Sequence, residues 1–72
     1  MKELVRTNNP VLLSWLQALL RDGGVESFVF DSHTSILEGS ANAIPRRLMV
    51  ADDDYALAHL LLTDAGEGKH LV

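Results

Sequence analysis

The sequence predicts an α+β domain of order β-α-β-β-α. Two helices lie on one face of a three-stranded sheet, and a last strand is missing or rudimentary. Three observations predict it. Two apolar stretches of helical length each follow capping residues and end at glycine. Three short runs rich in β-branched, aromatic or alternating apolar residues flank them. A strand–helix–strand unit closes right-handed, and this places both helices on the same side. Seventy-two residues suffice for a single domain, read as 1–66, with 67–72 as a C-terminal tail expected to fray.

The first strand covers residues 1–7, contains Leu4 and Val5, and stops at Asn8-Asn9-Pro10. Asn9 can accept from the free amides of a starting helix, and Pro10 suits the first helical position. That helix runs to about Asp22, where Gly23-Gly24 supplies a left-handed stop. On the helical wheel Leu12, Leu16 and Leu19 form the centre of the apolar face, flanked by Trp15, Leu13 and Leu20. Residues 25–31 read as the second strand.

Residues 32–43 have no periodicity and form the longest loop, closed by Pro45. Residues 46–51 alternate as a third strand, with Leu48 and Val50 on one face. Asp52-Asp53-Asp54 caps a second helix that runs to about Ala65 and stops at Gly66. Its expected core stripe is Leu57, Leu60 and Leu61 with Ala56 beside them, while Tyr55, His59, Leu62 and Thr63 face out. In the tail, His70-Leu71-Val72 could add a short strand.

This order is the split βαβ, or ferredoxin-like, arrangement without a complete fourth strand. The pleat has a consequence for the uncovered side. If Leu48 and Val50 face the helices, Met49 faces away, together with either Phe28 and Phe30 or Val25 and Val29. Either set leaves an apolar sheet face, which points to a protein partner or self-association.

Composition removes several function classes. With no cysteine, neither a disulfide nor a thiolate metal site is available. A net charge of −4, with only Arg46 and Arg47 adjacent among the cations, argues against nucleic-acid binding. The most apolar stretch, 11–20, is broken by Ser14 and Gln17 and is half a membrane span, so no membrane association is expected. Residues 1–9 lack the apolar core of a signal peptide, and the expected compartment is the cytoplasm.

Catalytic chemistry finds no constellation. There is no Gly-x-Ser-x-Gly and no Ser/His/Asp arrangement, so the chain is read as a non-enzyme without cofactors. A hydrolase using His33 would need Asp31 and His33 to converge in a cleft. Asp31, His33 and Glu38, with His59 or His70, match no zinc spacing, and no metal is expected. Asp52-Asp53-Asp54 lacks the glycine and distant glutamate of a calcium loop.

Two binding surfaces remain. One is the sheet face, with Phe28, Phe30 and Met49, extended by Ile36, Leu37 and Glu38 of the loop and by Arg46 and Arg47 as a recognition edge. Ile36, Leu37 and Ile44 could equally fold down over the core, and the residues alone leave both readings open. The other is an anion or small-molecule site at the first helix's N-terminus, drawn from Arg6, Asn8, Asn9 and Arg46. Ordinary helix capping by Asn9 competes with it.

The segments Arg6-Thr7-Asn8-Asn9-Pro10, Gly24-Val25 and Leu37-Glu38-Gly39-Ser40 carry a likeness, as does Ile44-Pro45-Arg46-Arg47-Leu48-Met49-Val50-Ala51-Asp52-Asp53 followed by Ala56. In these the chain resembles a family of small bacterial proteins, the prokaryotic signal-transducing proteins of unknown function, up to about Gly66. The resemblance implies a fold distantly like the PII nitrogen regulators, ferredoxin-like trimers that touch their targets with a loop between strands two and three. Residues 32–43 occupy that position in shortened form. The chain is much shorter than those regulators and lacks their nucleotide-binding elements, so ATP or 2-oxoglutarate sensing does not carry over. The resemblance thus implies a regulatory or interaction module, with small-ligand sensing as the alternative.

Overall fold

A computed structural model describes residues 1–31 and 45–72. The loop 32–43, and with it His33, Ile36, Leu37 and Glu38, lies outside the described residues, as does Ile44. Three strands and two α-helices follow in the expected order: β1 (Lys2–Thr7), α1 (Pro10–Asp22), β2 (Ser27–Asp31), β3 (Arg46–Val50) and α2 (Tyr55–Asp64). A 3-10 turn, Asp52–Asp54, leads into α2, and another, Gly68–His70, follows it.

The sheet order is β1-β3-β2, with β3 antiparallel to both neighbours. The first and second strands are therefore parallel, and the third is inserted between them, as the split βαβ unit requires. Leu48 and Val50 are fully buried and belong to one core with Leu13, Leu16 and Leu20 of α1 and Ala58 and Leu62 of α2. Both helices thus cover the same side of the sheet.

The first helix begins as its sequence dictates. Asn9 Oδ1 accepts from the amides of Val11 at 3.0 Å and Leu12 at 3.2 Å, and Pro10 opens the helix. It ends in a Schellman motif: Val25 N–H donates to Leu20 O at 2.8 Å and Gly24 N–H to Arg21 O at 3.0 Å. Gly24 takes the left-handed conformation at φ +85, which a Cβ would strain. Val25 is spent on this motif, so β2 starts at Ser27 instead of residue 25. The second helix closes the same way, with Glu67 N–H to Leu62 O, Gly66 N–H to Thr63 O, and Gly66 at φ +81.

The first helix buries the expected arc after a small rotation, and the second turns a different face inward from the one its wheel suggests. In α1 the buried line is Leu13, Leu16 and Leu20, with Leu12 and Leu19 flanking it. This rotation carries Trp15 off the packed side, where it is half exposed. In α2 the correction is larger. Leu62, expected outside, is fully buried with Ala58, and Tyr55 is partly buried beside them. Leu57 and Leu60, expected in the core, are 43% and 54% exposed. Leucines occur around most of this helix, so periodicity offers no decisive stripe. Close packing selects instead: Ala58 is the small residue, and Leu61 lies where a Cβ on Gly23 would collide with it. The helix start differs too, since Asp52–Asp54 forms a 3-10 turn and neither flanking cap makes a side-chain bond. The three carboxylates still oppose the helix dipole.

The tail is bonded back to the sheet. Leu71 makes one antiparallel bridge to Val5, and Val72 N–H donates to Leu4 O at 3.1 Å. This is the rudimentary fourth strand, lying on the free edge of β1.

Candidate interaction face

On the side away from the helices, cross-strand register arranges two rows of side chains. Phe28 lies opposite Met49, which lies opposite Glu3. Phe30 lies opposite Arg47, which lies opposite Arg6. The choice left open by the sequence is thereby made: Phe28 and Phe30 share Met49's face, while Val29 pairs with buried Leu48 on the helix side. Phe30 is 42% exposed, and Phe28 and Met49 are half-buried.

A bulge in β1 determines the charged border of this face. Leu4 is the extra residue between Glu3 and Val5, and both Leu4 and Val5 are buried. Without it, residues three apart would point to opposite faces. With it, Glu3 and Arg6 meet, the guanidinium donating at 2.7 Å and 2.9 Å to the two carboxylate oxygens. That hydrogen bond lowers the Glu3 pKa below its ordinary value, helped by the charges of Arg6 and Arg47 and opposed by desolvation. The same contact raises Arg6. The face is therefore apolar along β2 and ion-paired along β1.

The other expected residues divide. Arg46 falls opposite Thr7, in the helix-side register, so alternation separates it from Arg47. The strands β1 and β3 do lie side by side, as an anion site needs, and Arg46 comes level with the chain entering Asn8 and Asn9. Arg6, however, is turned to Glu3 on the other face, and Asn9 Oδ1 is occupied by the helix amides. Asn9 N–H itself donates to Thr7 Oγ1 at 3.2 Å. Arg6 and Arg46 thus belong to opposite faces of the sheet register, and Asn9 is engaged in capping.

Two features had no signal in the sequence. Trp15 Nε1–H donates to Glu67 Oε2 at 2.7 Å across 52 positions of chain, and Glu67 Oε1 lies 3.6 Å from His70 Nε2. A groove of about 470 Å³ runs between Gln17 and Arg21 of α1 and residues 24–27. Among the described residues no group of three or more His, Asp or Glu is placed to hold a metal ion. No helix among them is long and apolar enough to cross a membrane.

Fold and face together define a small split-βαβ domain with one sheet face covered by both helices and the other uncovered among the described residues. Residues 1–66 match the family described as "putative prokaryotic signal transducing protein", and the chain belongs to it. No curated protein matches the chain.

Proposed function

We propose that this protein is a non-enzymatic signalling module whose work is to bind a partner protein on the open sheet face. Phe28, Phe30 and Met49 supply the apolar anchors, Arg47 a directional charge, and the Glu3–Arg6 pair a polar rim. The observation that carries the reading is their register: three large apolar side chains meet on the face opposite both helices. The family's name agrees with a domain whose output is association. The face needs no catalytic group for this role.

A photo-crosslinking residue placed at Met49, compared with one at exposed Ser14 of α1, tests the proposal in the native cell. We expect a discrete protein adduct from position 49 only, lost in Phe28→Glu. Equal adducts from both positions, or an adduct indifferent to Phe28→Glu, would remove the face as the docking site.

A further inference from the structure

The two edges of the sheet are finished differently. The β1 edge is bulged and is covered by the Leu71 bridge and the Val72–Leu4 hydrogen bond. The β2 edge has no neighbour among the described residues. Its central stretch Phe28-Val29-Phe30 carries no charge, no proline and no register shift against β3, the devices that most directly blunt an edge. Such a strand presents unpaired N–H and C=O groups to any strand that can match it.

The best match is itself. Phe28-Val29-Phe30 reads the same in both directions. We infer that β2 pairs antiparallel with β2 of a second copy, with Val29 on the two-fold axis, making a continuous six-stranded sheet. In that register each Phe28 faces the second copy's Phe30, and each Val29 faces its equivalent. Aromatic and β-branched cross-strand pairs are the favourable ones. The axis is perpendicular to the sheet, so both open faces stay on one side. Four phenylalanines then form one apolar patch across the seam, with a Met49 on each flank. The contact is isologous and closes at two copies, which distinguishes it from an edge that would propagate. This inference stands apart from the partner-docking proposal, because it concerns the strand edge and names a different occupant.

Sedimentation equilibrium from micromolar to millimolar concentration tests it on three chains. Wild type is expected to dimerise. Phe28→Glu/Phe30→Glu is expected to be monomeric, since like charges face each other at both cross-strand positions. Phe28→Glu/Phe30→Lys is expected to restore the dimer, since opposite charges then face each other. A wild-type monomer throughout overturns the inference, as does a dimer that both double variants abolish or both retain. Should a charged variant fail to fold, the absence of native cysteine offers a second measurement. Val29→Cys is expected to form a covalent dimer on mild oxidation, because opposed Cβ atoms at the near end of the cross-strand range, about 4.5 Å, reach disulfide geometry with slight adjustment. No more dimer than Ser14→Cys gives would overturn the pairing. Arg47→Glu, on the same face of the central strand, separates the two proposals: it should remove the adduct from position 49 and leave the dimer.

Discussion

A single extra residue in β1 governs what the open face can offer. Because Leu4 is bulged, Glu3 and Arg6 share a side and form a two-pronged ion pair where strict alternation would have parted them. The pair is exposed, so its contribution to stability is small. Its sign with pH is nevertheless fixed. Glu3 holds its proton less readily in the folded chain than in the unfolded one, chiefly through the Arg6 hydrogen bond. The unfolded chain therefore binds more protons near the ordinary value of 4.5, and stability rises with pH there. The contribution is whole above that value and is lost as pH falls through the lowered one. Urea denaturation of wild type and Glu3→Gln should show the variant slightly less stable at neutral pH. The two should converge as pH falls through the lowered Glu3 value. A difference that stays constant with pH would mean that the ion pair is not its cause.

Elements were legible to the extent that their ends carry chemistry. Asn9-Pro10, Gly24 and Gly66 act through local backbone groups, so both helix stops and the first helix start could be read from neighbours in sequence. The faces of the helices could not, because they answer to tertiary packing. Leu57, Leu60, Leu61 and Leu62 are chemically alike, and only the fit of Ala58 and Leu62 against the sheet and α1 tells them apart. The open face falls between these cases. Alternation fixed Met49 against Leu48 and Val50, but the register of β2 was needed to put Phe28 and Phe30 beside it. The bulge at Leu4, and the Trp15–Glu67 bond across the length of the chain, left no local trace. The rotated α2 can be checked directly. Leu62→Ala should cost about 2–5 kcal/mol by emptying a closed site, whereas Leu60→Ala, on the exposed side, should stay within about 0.5 kcal/mol. Denaturation midpoints decide it, and the reverse order would restore the face the wheel suggested.

For the whole molecule the decisive property is the asymmetry of its sheet. A domain this small has only about 3–5 kcal/mol to spare, and one of its two edges is closed by the tail rather than by a full strand. Residues 67–72 lie beyond the stretch matched by the family, yet they supply Val72's bond to Leu4, Leu71's partly buried side chain and Glu67's bond to Trp15. One net hydrogen bond and one partly buried leucine together amount to roughly 2 kcal/mol, a large share of the total. A chain ending at Gly66 should therefore unfold at clearly lower urea, and Trp15 emission should report the loss of its indole partner even where the fold persists. Removing the tail also opens the β1 edge, and two open edges no longer limit association to a closed pair. The shortened chain should sediment as species larger than a dimer at concentrations where the full chain stops at two. If it keeps both the midpoint and the size of the full chain, the tail is not what closes that edge, and the bulge and Lys2 must protect it unaided.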